Sequence, residues 1–225
     1  MNLTIRIGKG ESLEVEDHKA VVSSSDQSGR NFSGVDFGES RDLISVNFSC
    51  ANLSGTSFSN GYLGHGEVHT KHHMDNACYP SDLSESDFTS ADLSKSNLYG
   101  CSLDAANLSD ACVEHTDLRR ADCTNITALR ASFKSAYLSA ACFDGANLDG
   151  ATFVSARCGQ DVIGENTKYS GQATLGATTF RKASLRNVDF SGADLQGADF
   201  SGAITEGACF DGANLTDTIF TNFTK

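Results

Sequence analysis

The 225-residue chain has one Pro, no Trp and 39 % hydrophobic residues, a share below the roughly 45–50 % of ordinary globular proteins. Its net charge of −12 argues against direct nucleic-acid binding, because phosphate binding requires a basic surface. No segment is apolar enough for a membrane span, and residues 1–7 lack the regions of a signal peptide, so we expect a cytoplasmic protein without membrane contact.

The first twenty residues predict a β-hairpin. Leu3, Ile5 and Ile7 alternate with polar residues, Gly-Lys-Gly-Glu comes next at 8–11, and Leu13 and Val15 resume the alternation. We therefore expect residues 1–20 to form a unit separate from the rest of the chain.

A period of five residues governs most of the chain after residue 20. Between residues 83 and 163 every fifth residue is apolar, and the residue two places before it is nearly always Ala, Ser, Thr or Cys. A five-residue period matches neither an α-helix nor a flat strand, so the chain must turn every five residues. Four such turns close a square coil of about twenty residues, with the large and the small residue inside and the other three in water.

The repeat resembles that of the pentapeptide-repeat family, whose motif is Ala, then Asp or Asn, then Leu. The motif occurs at Ala51-Asn52-Leu53, Ala91-Asp92-Leu93, Ala106-Asn107-Leu108, Ala146-Asn147-Leu148, Ala193-Asp194-Leu195, Ala198-Asp199-Phe200 and Ala213-Asn214-Leu215. The resemblance implies an all-β fold, a right-handed quadrilateral β-helix of roughly ten coils over residues 21–222. The hairpin of residues 1–20 would then cover the first coil as an N-terminal cap.

Stacking of coils predicts which residues touch, because positions twenty apart lie in successive coils about 4.8 Å apart. We expect one column of Leu175, Leu195 and Leu215, and a second column of Phe180, Phe200 and Phe220.

The period is interrupted three times. Phe37 and Leu43 are six residues apart, which predicts one inserted residue near 39–41. Residues 64–80 lack the pattern although Leu63 and Leu83 are twenty apart, so they form either an irregular excursion that replaces a coil or a distorted coil with His73 inside; the Gly and Pro residues at the two ends favour the excursion. Residues 164–172 add two residues between Ile163 and Leu175, which predicts a small loop.

The interruption at 64–80 is rich in groups that can bind metals or change charge. His65, His69 and His73 could supply metal ligands, but Gly64 and Gly66 make the helical spacing of a metal site unfavourable. A solvated contact loop that gains positive charge below about pH 6.5 is the better interpretation. The partner-binding candidates in this loop are His65, Glu67, His69 and His72.

No enzymatic site is predicted, and no cofactor. A convex rod offers no cleft for a nucleophile, a base and an orienting acid. Eight Cys occur without a Cys-x-x-Cys pair, and several stand at inward positions, which indicates buried free thiols in a reducing compartment. Three others, Cys112, Cys142 and Cys209, precede a core residue and should face outward, where oxidants could reach them.

Binding is therefore the expected function, and three hypotheses remain open. The first is a non-enzymatic scaffold for another protein, which would include a signalling regulator or a delivered bacterial effector. The second is implied by the resemblance to family members that confer quinolone resistance: an acidic mimic of DNA that binds DNA gyrase or topoisomerase IV. The third is a metal-binding or redox-active protein that uses the His-rich loop.

The DNA-mimic hypothesis depends on the distribution of charge. Residues 1–112 carry 16 acids and 7 bases, so this half accounts for −9 of the net charge. The outward carboxylates expected to take part, and to contact any cationic partner, are Asp82, Asp87, Asp92, Asp117 and Asp122.

The repeat continues almost to Lys225, with Phe220 and Phe223 near the end. An uncovered last coil exposes apolar core, so a homodimer through this C-terminal coil is a further expectation.

Overall fold

A computed structural model describes residues 3–7, 11–16, 19–21, 26–37, 47–58, 63, 81–163 and 173–222. Five strands lie in these ranges: β1 (Leu3–Ile7), β2 (Glu11–Glu16), β3 (Lys19–Val21), β4 (Asp161–Ile163) and β5 (Ala173–Leu175). Between residues 26 and 219 the chain is otherwise joined by single-residue parallel bridges from one coil to the next.

Each five-residue unit ends in a tight turn that begins at the inward-facing large residue. In a representative unit, the amide of Ser96 donates to the carbonyl of Leu93 at 3.2 Å, and Lys95 has a φ of 57°. This is a type II turn, which needs a left-handed residue at its third position. Among the described residues, eleven Gly and seventeen other residues have this left-handed conformation.

The turns arrange the chain into four faces, each marked by a column of bridged residues that point outward. The core residue of each unit directly follows its outward residue. Face 1 runs from Asp26 to Ile219, face 2 from Asn31 to Ile204, face 3 from Asp36 to Cys209, and face 4 from Asn97 to Asn214. Most bridges join residues twenty apart, as the period predicts.

The interior is a continuous stack of large side chains separated by small ones. The eleven largest fully buried side chains of the described residues are all Phe. Phe180 stacks on Phe200 with ring centroids 4.9 Å apart, and Phe200 on Phe220 at 5.0 Å, which confirms the predicted Phe column. Small residues lie between because the coil has no room for a second large side chain on each side.

The first interruption is confirmed as a single inserted residue. Asp26 bridges Asn47, and Asn31 bridges Asn52, so the separation is 21 residues where other coils have twenty. The additional residue therefore lies between Phe37 and Asn47, within a stretch outside the described residues.

The second interruption replaces no coil. Asn47 bridges Asp82 directly, so the coil of residues 47–63 lies against that of residues 81–98. Ser81 donates to the carbonyl of Leu63 at 3.0 Å, the bond that residue 66 would make in an unbroken coil. The distorted coil and the replaced coil are therefore both wrong: residues 64–80 number fifteen more than the two residues that separate such positions in an unbroken coil. Leu63 and Leu83 belong to different faces; residues 64–80 lie outside the described residues.

The third interruption is larger than the predicted loop. Cys142 bridges Thr179, 37 residues away, and Thr178 donates to the carbonyl of Cys158 at 2.8 Å. The seventeen additional residues include strands β4 and β5, which pair antiparallel with Asp161 opposite Leu175. Residues 164–172 between them lie outside the described residues.

The pairing of β4 with β5 corrects two core assignments. In this hairpin Ile163 pairs with Ala173 and Leu175 pairs with Asp161, so neither has a place in the bridged columns. The amide of Cys158 donates to the carbonyl of Asp194 at 2.8 Å, which places Cys158 next to Leu195 in the stack. Cys158 therefore occupies the position predicted for Leu175. Leu195 and Leu215 do share a column, because the amide of Leu195 donates to the carbonyl of Asn214, the residue before Leu215, at 3.0 Å.

The two long insertions also change the length of the rod. Within the described residues, face 1 has nine bridged residues and eight steps between coils, fewer than the roughly ten coils predicted. Eight steps of about 4.8 Å give a length of about 40 Å. Before the rod, β1 pairs antiparallel with β2, and β2 with β3, in a three-stranded sheet. The role of this sheet as a cap stays a prediction.

Candidate partner-binding surfaces

The five outward carboxylates singled out in the sequence do not share one surface. Asp82 and Asp122 lie on face 1, two coils apart, while Asp87 lies on face 2, Asp92 on face 3 and Asp117 on face 4. A five-residue spacing moves each successive residue by one face, so only residues twenty apart meet. Asp82 and Asp122 share a face but are separated by Ser102, so no two of the five lie in adjacent coils of one face.

These carboxylates also support the turns that come after them. Oδ1 of Asp92 accepts a hydrogen bond from the amide of Ser94 at 2.9 Å, and Oδ1 of Asp122 accepts from the amide of Thr124 at 3.1 Å. The Thr124 hydroxyl donates to the same oxygen at 2.6 Å. An Asp or Asn side chain bonded to the backbone two residues later is an Asx turn. The Asp or Asn of the motif is therefore explained by local structure, without a partner.

Acids that lie near Arg are paired with it. Arg119 contacts Asp117 through two bonds of 2.9 and 2.7 Å, and Arg130 contacts Asp110 through bonds of 2.7 and 2.6 Å. The Arg130 guanidinium holds the pKa of Asp110 below its usual range. Farther along the rod, Arg181 bonds to Asp199 at 2.6 Å. Arg119 and Arg130 are therefore charge-balanced on the surface of the rod.

The His-rich candidates His65, Glu67, His69, His72 and His73 all lie outside the described residues. Within the part of the chain that the structure describes, no three His, Cys, Asp or Glu side chains come close enough to hold a metal ion.

The described cysteines are free thiols. Cys101, Cys123 and Cys158 are buried, and desolvation raises the pKa of all three, that of Cys158 to about 12. The half-buried Cys112 also has a raised pKa, mainly through desolvation. Thiols with raised pKa values form little thiolate, so these four are poor nucleophiles.

Two tyrosines on or beside face 4, Tyr99 and Tyr137, were not singled out in the sequence. The Arg119 guanidinium lies 5.6 Å from the ring centre of Tyr99, and that of Arg157 lies 4.9 Å from the ring centre of Tyr137. Both distances are within the range of a cation–π interaction. A signal was present: these are aromatic residues at outward positions of a repeat that otherwise places small polar residues there.

Both long insertions leave the rod at the same corner. Leu63 and Cys158 are core residues of face 4, and Ser81 and Thr178 lead into face 1. The corner between faces 4 and 1 therefore carries the departure of residues 64–80 and that of the β4–β5 hairpin, four coils apart.

A sequence model described as pentapeptide repeats matches the chain in eight copies, over residues 81–120, 116–154, 172–204 and 183–222. The chain belongs to the pentapeptide-repeat family. Right-handed β-helices are the fold of this family, and the bridges from Asp26 onward show that two coils precede the matched residues. No curated protein sequence matches the chain.

Three solved pentapeptide-repeat structures are similar to this chain. HetL from the cyanobacterium Nostoc sp. strain PCC 7120, involved in heterocyst differentiation regulation, is 22 % identical over 86 % of each chain, with a TM-score of 0.39. A thylakoid lumen protein of Arabidopsis thaliana is 21 % identical over 60 % of this chain and 69 % of its own, with a TM-score of 0.34. QnrB1, a plasmid-mediated fluoroquinolone resistance protein, is 17 % identical over 86 % of this chain and 88 % of its own, with a TM-score of 0.35.

Pentapeptide-repeat proteins are generally non-enzymatic structural or interaction proteins. Among the described residues, no helix is long and apolar enough to cross a membrane. The candidate sites of this chain are therefore surfaces: the four faces, the corners between them and the last coil.

Proposed function

We propose that the protein is a non-enzymatic scaffold that binds another protein, in a reducing compartment such as the cytoplasm. One observation carries this proposal: the bonds between coils continue across both long insertions. Asn47 bridges Asp82 and Cys142 bridges Thr179 as if the fifteen and seventeen additional residues were absent.

A regular rod that holds added segments at one corner matches the usual division between a rigid framework and functional loops. The framework is fully bonded at the points of departure, since Leu63 also donates to the carbonyl of Asn97 at 2.9 Å. The coils on either side of each insertion pair directly, so the repeat does not require the inserted residues, and we assign them a role in partner contact.

The register allows the insertions to be removed without disturbing the rod. Deletion of residues 66–80 joins His65 to Ser81, and deletion of residues 161–177 joins Gln160 to Thr178; both restore a spacing of five. We expect affinity purification of the full chain from lysate of its source organism to recover a specific partner, and at least one deletion to lose it. Recovery of no partner by the full chain, or catalytic turnover by the purified protein, would contradict the proposal.

The DNA-mimic alternative receives less support from the geometry. Its five Asp residues are spread over four faces, and Asp117 is neutralised by Arg119 at 2.7 Å. The net charge of −12 remains in its favour. A supercoiling assay with DNA gyrase and topoisomerase IV, with and without a quinolone, decides the question. Unchanged supercoiling and cleavage at micromolar protein would remove this alternative.

We also propose that the last coil mediates a homodimer. Leu215 and Ile219 are 41 % and 44 % exposed, the two exposed large hydrophobic residues of the described chain, and the partly buried Phe210 and Phe220 lie beside them. Exposed apolar residues at one end of a rod favour association with a second copy.

A further inference from the structure

Face 4 differs chemically from the other three faces. Successive coils place Asn97, Asp117, Tyr137, Arg157 and Asp194 in one bridged column. Both tyrosines of the described residues lie on this face or on the corner beside it. Tyr and Arg are the residue types most enriched at the energetic centres of protein interfaces.

The two Tyr–Arg pairs of this face are not equivalent. Arg119 is engaged by Asp117 through two short bonds, and its charge is compensated. Arg157 is exposed, and among the described residues it forms no ion pair. Its neighbour Asp194 instead accepts bonds from the amide of Gln196 at 3.2 Å and from Nδ2 of Asn214 at 3.0 Å.

A second uncompensated cation lies on the adjoining corner. Arg120 is exposed, its amide is fixed by a bond of 3.1 Å to the carbonyl of Ser139, and its guanidinium has no ion pair within the described ranges. By contrast, Arg130, Arg181 and Arg186 on other corners all pair with acids. Uncompensated Arg is therefore concentrated at face 4 and its corner.

The same stretch lies between the two points where the insertions leave the rod. Tyr99 belongs to the coil that begins at Ser81, and Arg157 belongs to the coil that ends at Cys158. Three steps between coils, about 14 Å, separate their levels, a span that about four or five residues of extended chain can cover.

We infer that face 4 between Tyr99 and Arg157 binds an acidic, aromatic-containing segment of the partner protein. Carboxylates of the segment pair with Arg157 and Arg120, and its planar groups pack on Tyr137 and Tyr99. The inference rests on the proposed scaffold function and names the surface and the chemistry of the partner. The net charge of −12 does not prevent such binding, because charges beyond about 8 Å are screened at physiological ionic strength.

The test uses a fluorescein-labelled peptide of alternating Glu and Tyr, with a Lys and Tyr peptide as its counterpart, and measures fluorescence anisotropy with the full chain. We expect the acidic peptide to bind, Arg157→Glu to raise its Kd at least about tenfold, which is about 1.4 kcal/mol, and Tyr137→Thr to raise it severalfold. Lys182→Glu is the matched control, because Lys182 is an exposed residue of another corner without an ion pair in the described chain.

Three results would overturn the inference. They are the absence of acidic-peptide binding, an equal loss with Lys182→Glu, and tighter binding of the basic peptide that depends on face 4. Circular dichroism melts of each variant identify loss of fold, and the substitution Tyr137→Thr is chosen because Thr127 and Thr152 already occupy bridged outward positions. If the cellular partner is still recovered with Arg157→Glu, the scaffold function stands and this inference fails.

Discussion

Many turns of the rod are stabilised by an oxygen acceptor placed one residue before the core residue. The Asx side chains of the motif fill this role, from Asp26, bonded to the amide of Ser28 at 3.1 Å, to Asn214, bonded to that of Thr216 at 3.1 Å. Asp and Asn are equivalent here because both present Oδ1. Asp and Asn can therefore replace each other at this position without loss of the fold.

That equivalence can be measured at Asp122. We expect Asp122→Asn to leave the free energy of unfolding nearly unchanged, since the acceptor for Thr124 remains. Asp122→Ala removes it and should cost about 1 kcal/mol, the usual cost of losing a similar capping bond. Urea denaturation of the two variants makes the comparison. Equal destabilisation by Asn and Ala would show that charge, rather than the acceptor, matters there.

A hydrogen bond of the same kind makes the stability of the fold depend on pH. Hydrogen bonds from Ser191 lower the pKa of Asp189, so this carboxylate stabilises the fold above the ordinary Asp pKa near 4. The stabilisation is lost as pH falls through the lower pKa of the folded state. We expect Asp189→Asn to flatten the melting temperature below about pH 4 relative to wild type. A melting series from neutral to acid pH that is identical for both proteins would contradict this.

The left-handed turn position gives a further test at Gly145. It has a φ of +72°, and a Cβ there would lie 2.6 Å from Oδ1 of Asn125 in the neighbouring coil; at Gly55, with a φ of +63°, a Cβ would meet nothing within 4 Å. We expect Gly55→Ala to cost about 1 kcal/mol for backbone strain alone. Gly145→Ala should cost more, and the excess should vanish when Asn125→Ala is added, as thermal or urea unfolding can show.

At the scale of elements, the bond that closes a turn forms even where residues are inserted within that turn. Thr178 and Ser81 bond to Cys158 and Leu63 as ordinary next-turn residues do. The long insertions are therefore additions to a completed coil, and their length need not be a multiple of five.

This predicts that deletion length decides the outcome. Removal of residues 161–177 restores the five-residue spacing and should retain the β-rich circular dichroism spectrum and cooperative melting. Removal of residues 161–178 also removes Thr178, whose amide bonds to the carbonyl of Cys158 in the complete chain. The coil is then one residue short, and a missing residue cannot be accommodated as an additional one is. Since the later core residues then leave their inward positions, we expect this variant to melt at lower temperature or to aggregate. Similar behaviour of the two deletions would argue against the register.

At the scale of the whole molecule, the last coil of the rod differs from the coils before it. Residues 206–222 are more exposed than the equivalent residues of earlier coils, with Leu215 and Ile219 the most exposed large hydrophobic residues described. Every coil between them and the first has a neighbour on both sides among the described residues.

A charge placed on the last coil should therefore disrupt the proposed dimer. We expect light scattering after gel filtration to give a dimer for the wild type at micromolar concentration and a monomer for Ile219→Lys. Thr179→Lys, at a half-buried outward position of the same face two coils earlier, is the control and should remain dimeric. A monomeric wild type would contradict the dimer proposal without affecting the scaffold.

The period, the inward positions between residues 83 and 158, the Phe column and the single inserted residue could all be predicted from the sequence, because a five-residue repeat is a local property of the chain. Which coil stacks on which could not be predicted in this way. Leu63 and Leu83 are twenty residues apart yet lie on different faces, and Ile163 continues the apolar series yet pairs with Ala173 in a hairpin. Periodicity counts residues along the chain, whereas stacking depends on which backbone groups meet. Within the unbroken repeat the same counting does place the outward acids on four faces, and Tyr137 and Arg157 on one. It could not show that Arg157 lies over the Tyr137 ring while Asp117 holds Arg119, because such contacts depend on side-chain conformation.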